Sequence, residues 1–152
     1  MTRMAISLLG SGLALAIASP ALAEPVEYTA TLSGANETAG GAPGGSGHFT
    51  GEFDPETGDV CYTLAAEGIG DPTAAHIHKG AAGKDGKPVI TLNVTGPDDD
   101  LCIAEEPDLL KEILAAPSGY YVNVHSAALP KGAIRGQLEG DAVVVPDKEE
   151  DD

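Results

Sequence analysis

The chain has 152 residues, of which 24 are acidic and 8 are Lys or Arg, giving a formal net charge of −16. Apolar residues make up 42%, too many for a disordered chain, while 20 glycines and 11 prolines are too many for a helical bundle. The length supports one domain. Because the negative charge repels phosphate groups, we expect neither nucleic acid nor an anionic lipid surface as a partner.

The N-terminus has the pattern of an export signal. Arg3 is followed by an apolar run, and small residues before position 24 suit cleavage after Ala23. We therefore predict a cleaved signal peptide at 1–23, a folded domain at 24–145 and an acidic disordered tail at 146–152. Cleavage removes Arg3 and leaves 7 bases against 24 acids, a charge of −17. The mature protein is expected in the periplasm or secreted, without a membrane anchor.

The rest of the chain alternates strand patterns with turn-forming residues. Apolar and polar residues alternate with a period of two, which is typical of half-buried strands. Residues 54–59 are dense in turn formers and predict a hairpin, and glycine-rich stretches predict loops at 34–47 and 80–88. The predicted strands are 26–32, 48–53, 60–64, 74–78, 89–94, 120–125, 133–138 and 142–145.

One helix interrupts this pattern. Pro107 and Asp108 suit the start of a helix over 109–116, and Pro117 ends it. The acidic cluster at 98–100 is expected to be a solvated turn. Many short strands and one helical connection predict an antiparallel β-sandwich or barrel.

The two cysteines, Cys61 and Cys102, suit an exported protein. In an oxidising compartment two cysteines most often pair, and this bridge would close a loop of about 40 residues. A thiolate metal pair is the alternative, which the wide spacing disfavours. We predict a disulfide.

The histidines carry the strongest chemical signal. In the predicted strand at 74–78, Ile77 belongs to the core face, so His76 and His78 share the opposite face. In the strand at 120–125, Val122 and Val124 face the core, which turns Asn123 and His125 outward. If the two strands are neighbours, the three imidazoles form a site suited to copper or zinc. The alternative is that these are ordinary surface histidines, since His-x-His alone is a weak motif.

Several segments together resemble the CHRD domain, a module named from chordin and found in small exported bacterial proteins. The matching segments occur in the family's order and cover nearly all of the predicted domain. They are residues 32–37, 75–83, 88–89, 121–126 and 132–138.

This resemblance implies an all-β, antiparallel, immunoglobulin-like sandwich, and in chordin the module belongs to an extracellular growth-factor binder. The first loop departs from the family, which usually has Val-Pro-Pro at the positions of Thr38, Ala39 and Gly40. A looser, local likeness to Cu,Zn superoxide dismutase comes from His-x-His on a sandwich strand and a later histidine. That likeness does not license an activity.

Three further residues are candidates for positions around the metal ligands. Glu37 lies in a matching segment and is expected to orient a histidine, unless it is a solvated loop residue. Tyr121 and Asn123 flank the site in the strand of His125. Arg135 faces the polar side of its strand, where we expect it to pair with an acid.

The sequence thus favours an exported protein that binds a transition metal, copper before zinc, through His76, His78 and His125 without catalysing a reaction. Its acidic surface is expected to concentrate cations. A metal-free module that binds an extracellular or periplasmic protein is the second hypothesis. A superoxide dismutase-like enzyme is the third.

Overall fold

A computed structural model describes residues 24–146 of the chain. The predicted signal peptide at 1–23, and all of the predicted tail except Pro146, lie outside these residues. The elements are β1 Val26–Ser33, β2 Ser46–Phe53, β3 Asp59–Glu67, β4 Pro72–Lys79, β5 Pro88–Leu92, β6 Gly96–Ala104, α1 Pro107–Ala115, β7 Tyr120–Ser126 and β8 Ile134–Gln137, with 3₁₀ turns at Gly34–Asn36 and Pro117–Gly119.

The eight strands form one antiparallel sheet in the order β5-β4-β7-β8-β1-β2-β3-β6. The sheet curls into a sandwich of two halves, one formed by β1, β2, β3 and β6 and the other by β5, β4, β7 and β8. Ser33 pairs with Arg135 between β1 and β8, and Thr29 forms a further bridge with Glu139 just beyond β8. The predicted all-β sandwich with one helix is therefore confirmed. The strands β4 and β7, whose adjacency the sequence left open, pair along most of their length.

The core lies between the two halves and follows the predicted alternation. In the half that contains β1 and β2, the Phe53 ring meets the rings of Tyr28 and Phe49 edge to face, with centroid distances of 5.5 and 6.4 Å respectively. Ile77 and Val122, from β4 and β7, are fully buried opposite each other in the second half. Burial of side chains of this size contributes roughly 1.5–3 kcal/mol each.

The helix α1 connects β6 to β7 and begins at Pro107, as its sequence favours. Leu110, Ile113 and Leu114 form its buried face, at the i, i+3, i+4 spacing of one helix side. Within residues 24–146 no helix is long and apolar enough to cross a bilayer.

The prediction of a solvated turn at 98–100 was wrong, because these residues belong to the edge strand β6. Alternating burial begins only at Leu101 and Ile103, so the first half of the strand leaves no pattern in the sequence. The two ends of β6 pair with β3, with Gly96 opposite Leu64 and Cys102 opposite Cys61, while residues 97–100 lie in an irregularity of the pairing between them. These two cysteines form the predicted disulfide, with Cα atoms 4.0 Å apart.

The strand predicted at 142–145 was also wrong. The segment is apolar and β-branched, but it lies against α1, where the Val143 N–H donates to the Leu114 carbonyl. The Tyr28 hydroxyl donates to the Asp141 carbonyl just before it. The residues of this segment favour an extended conformation, but a strand also needs a neighbouring strand to pair with. Because this segment lies against a helix, it has no such neighbour.

Candidate metal centre

The outer face of β4, β7 and β8 carries a compact set of polar side chains. His76 pairs across the strands with Asn123, which pairs in turn with Arg135. His78 pairs with Tyr121 in the next row, and His125 lies opposite Ala74 in the row before. The predicted outward face is therefore correct for all three histidines.

The three imidazoles form a cluster, because one ring nitrogen of each lies within 4.8 Å of the others. His76 Nδ1 is 3.4 Å from His125 Nε2. The ring centroids are 5.5 Å apart for His76 and His78 and 5.3 Å apart for His76 and His125. Adjacent strands thus bring together residues 49 positions apart in the sequence.

The description of these histidines as surface residues needs correction for His78, which is buried with 9% of its surface exposed. The loop between β4 and β5 covers it, a contact that strand alternation alone does not reveal. His76 and His125 are half-buried. The cluster is thus closed on one side and open to solvent on another.

The protonation of His78 follows from its hydrogen bonds. Its Nδ1 lies 2.9 Å from the Gly86 carbonyl oxygen, which can only accept, so the proton is on Nδ1. The neutral ring then has a bare lone pair on Nε2. That nitrogen is buried and has no hydrogen-bond partner in the described part of the chain. An unpartnered buried acceptor is unfavourable for folding, and an ordered water molecule or a metal ion would satisfy it.

His125 repeats the same arrangement on the neighbouring strand. Its Nδ1 lies 3.0 Å from the Pro130 carbonyl oxygen, so Nδ1 donates and Nε2 holds the lone pair. Nε2 is the atom that faces His76. A ring that donates one N–H to a backbone carbonyl and presents its other nitrogen is typical of metal-binding histidines.

The surroundings favour neutral imidazoles, which is the form that binds metals. Burial lowers the pKa of His76, and the neighbouring His125 and His78 lower it further. Burial also lowers the pKa of His78, although its hydrogen bond to Gly86 opposes the shift.

The Gly86 peptide and the Tyr121 ring fix the position of His78. The Gly86 N–H donates to the Tyr121 hydroxyl at 3.1 Å, while the Gly86 carbonyl accepts from His78. The Tyr121 ring also stacks on His78, with centroids 4.9 Å apart and planes 9° from parallel. A Cβ atom on residue 86 would lie 1.6 Å from the Lys79 carbonyl oxygen, so only glycine fits there.

A buried ion pair lies beside the cluster. Glu37 has a side chain that is 0% exposed and accepts from Arg135 Nε at 2.9 Å and from Asn123 Nδ2. Burial raises the pKa of Glu37, while Arg135, His125 and Asn123 oppose that shift. The expected pairing of Arg135 with an acid is therefore confirmed. The expectation that Glu37 hydrogen-bonds a histidine was wrong, because its oxygens contact Asn123 and Arg135 instead.

Arg135 connects the two loops that cover this face. Its Nη2 donates to Asp85 at 2.9 Å and its Nη1 to the Lys84 carbonyl at 3.2 Å, both in the β4–β5 loop. Its Nε binds Glu37 in the loop after β1. The guanidinium also lies over the Tyr121 ring, 4.4 Å from the centroid. One side chain thus links both loops to the ring that stacks on His78.

The donor geometry fits one transition-metal ion. Two nitrogens bound at about 2.0–2.1 Å with a tetrahedral angle are about 3.4 Å apart. This matches the 3.4 Å between His76 Nδ1 and His125 Nε2. The third nitrogen, from His78, lies within 4.8 Å of the other two. Three imidazoles without a thiolate suit copper or zinc.

Sequence reasoning missed the loop residues that shape this site, namely Gly86, Asp85 and Pro130. The three glycines of the 80–88 stretch marked a loop. No local pattern showed that it folds back over β4 and β7, since that depends on Arg135, about 50 residues further along the chain.

A comparison with protein-family models finds the CHRD domain over residues 28–138. The matched stretch runs from β1 to just beyond β8 and contains all three clustered histidines as well as Glu37 and Arg135. No curated protein and no solved structure shows significant similarity to the chain.

Proposed function

The chain belongs to the CHRD domain family, and from this premise we propose that it is an exported protein that binds one copper or zinc ion through His76, His78 and His125. The ion is held by Nε2 of His78, Nε2 of His125 and Nδ1 of His76. The role is metal handling without catalytic turnover. The CHRD domain is an extracellular type of module.

The observation that carries the proposal is the buried Nε2 of His78, which has no hydrogen-bond partner within residues 24–146. Its Nδ1–H is already committed to Gly86, and the ring is stacked on Tyr121, so the lone pair has a fixed direction. A protein gains nothing from leaving such an acceptor empty, whereas a metal ion supplies the missing partner. The same carbonyl anchoring of His125 supports the assignment.

Two features support export. The N-terminal 23 residues have the charge and apolar pattern of a signal peptide. The disulfide between Cys61 and Cys102 suits the oxidising conditions outside the cytoplasm. N-terminal sequencing of the protein recovered from the periplasm or medium tests this part, with Glu24 as the expected first residue.

Metal binding is tested by calorimetric titration of the chelator-stripped protein with copper and zinc, followed by metal analysis. We expect one ion per chain with micromolar affinity or better. The H76A/H78A variant should lose saturable binding. H48A is the matched control, because His48 is an exposed histidine on β2 whose ring forms a hydrogen bond with Thr50. Equal binding by the wild type and H76A/H78A would refute the proposal.

A metal-free protein-interaction module is the second candidate. The two imidazole–carbonyl hydrogen bonds favour it, because they also hold loops in place without an ion. On this account the stripped protein ignores copper and zinc and still binds its partner. A superoxide dismutase-like enzyme would require turnover by the copper-loaded protein well above that of free copper.

A further inference from the structure

The positive charges of this acidic protein are unevenly distributed. Residues 24–146 contain 19 acidic and 6 basic side chains. Three of the basic side chains are paired: Lys79 with Glu112, Lys111 with Asp108, and Arg135 with Glu37 and Asp85. The other three, Lys84, Lys87 and Lys131, are exposed and form no ion pair with the part of the chain that the structure describes.

These three unpaired lysines border the candidate metal centre. Lys84 and Lys87 lie on either side of Gly86, whose carbonyl anchors His78. Lys131 follows Pro130, whose carbonyl anchors His125. Both loops that fix the imidazoles therefore carry an exposed lysine directly after the anchoring residue, Lys87 after Gly86 and Lys131 after Pro130.

This arrangement is unfavourable for a site that holds only a divalent cation, because like charges repel. The nearby carboxylates offset only part of this charge, because Glu37 and Asp85 share the single positive charge of Arg135 and the three groups together carry one net negative charge against three lysines. The expectation that an acidic surface concentrates cations at the site does not describe these loops. A positive border around a positive ion favours an anion at the same place.

The cluster also leaves room for an additional ligand. Only three side chains of the described residues form the group of metal-binding donors. A zinc or copper ion usually takes at least four ligands, and sites with three protein ligands leave a position for water or another molecule. His76 and His125 are half-buried, so this position faces solvent.

We propose that the metal-loaded site binds a small anion as its additional ligand, and that Lys84, Lys87 and Lys131 provide the electrostatic attraction. The ligand class is a small inorganic or carboxylate anion with an oxygen or nitrogen donor. The proposal rests on the proposed metal binding at His76, His78 and His125.

The test uses the full protein loaded with one equivalent of copper and titrated with sodium azide, monitored by the azide-to-copper charge-transfer absorption. We expect saturable azide binding that weakens as ionic strength rises. In the K84Q/K87Q/K131Q variant the azide dissociation constant should rise about tenfold at low salt. This follows because a charge about 8 Å away in water changes affinity roughly two- to threefold. K111Q is the control, since it removes a charge that is already paired, and its azide affinity should not change.

The outcomes separate this inference from the metal proposal. Loss of copper binding in the preceding titration would remove both. Intact copper binding with no azide band, or with equal azide affinity and salt dependence in the wild type and K84Q/K87Q/K131Q, would overturn the anion proposal alone.

Discussion

The two halves of the curled sheet use the same strand alternation for different purposes. On the outer face of β1, β2 and β3, cross-strand neighbours such as Thr29, Thr50 and Thr63 are half-buried, and His48 is exposed. On the outer face of β4, β7 and β8, Asn123 and Arg135 are almost fully buried because loops cover them. We call the half that contains β1, β2, β3 and β6 the open half and the half that contains β5, β4, β7 and β8 the covered half. On the open half polar side chains are solvated, whereas on the covered half each buried polar atom requires a partner within the protein.

This comparison explains why one histidine is ordinary and three are not. His48 is exposed to solvent and forms a hydrogen bond with Thr50, so its ring needs no ligand. His78 is enclosed under the β4–β5 loop with one nitrogen bonded and the other unpartnered. The covering loops, rather than the strand pattern, turn outward-facing polar residues into a candidate site.

The largest expected effect on stability is at the ion pair of the covered half. R135M leaves the Glu37 carboxylate buried without its cation, and we expect the free energy of unfolding to fall by about 3–5 kcal/mol. T50A on the open half should change it by no more than about 0.5 kcal/mol. Urea denaturation measures both. The E37Q/R135M double variant should recover part of the loss, and equal effects of R135M and T50A would contradict the comparison.

Removing the disulfide tests whether the stability of the fold can be lowered without weakening metal binding at the histidine cluster. The bridge between Cys61 and Cys102 closes a loop with a sequence separation of 41, for which chain entropy predicts about 4 kcal/mol. It lies in the open half, between β3 and β6. C61A/C102A should therefore lower the midpoint of urea denaturation while leaving copper affinity unchanged under native conditions. A matching loss of copper affinity would show that the halves are not independent.

A matched pair of tyrosine variants tests the positioning of His78. Y121F removes the hydroxyl that accepts from the Gly86 N–H, which loosens the peptide that anchors His78. We expect about tenfold weaker copper binding. Y62F removes the corresponding hydroxyl of the open half, which accepts from the Asn93 N–H. Both variants should lose about 1 kcal/mol of stability, and only Y121F should affect copper. Equal copper affinities in the two variants would exclude a positioning role for Tyr121.

The smallest expected effect is a pH dependence of the metal-free protein. The pKa values of His76 and His78 are lowered in the folded state, so the unfolded chain binds more protons below its usual histidine pKa of about 6.5. Stability should therefore be fully present above pH 6.5 and fall as the pH drops through that value towards the folded pKa. H76Q/H78Q should fall less steeply than the wild type between pH 7 and 5.5. H48Q should follow the wild type.

The sequence predicted those parts of the molecule whose signal is local. Period-two alternation identified the faces of His76, His78 and His125, and Pro107 marked the start of α1. The prediction failed for β6, where only Leu101 and Ile103 show alternating burial. It also failed for 142–145, where residues that favour a strand have no neighbouring strand to pair with. The role of Glu37 was missed because its partners lie 86 and 98 residues away. For Gly86 the sequence predicted only that it lies in a loop. Glycine is required there because the Lys79 carbonyl oxygen leaves no room for a Cβ atom, and a local pattern does not reveal that contact.

The central claim concerns which ring nitrogens meet the metal, and nitrogen NMR of labelled imidazoles measures this directly. In the metal-free protein at pH 7.5, His78 and His125 should carry their protons on Nδ1. On addition of one equivalent of zinc, the account predicts large shifts for Nε2 of His78, Nε2 of His125 and Nδ1 of His76, with His48 unchanged. Unchanged spectra for the three clustered rings, or a shift at His48 in their place, would contradict it.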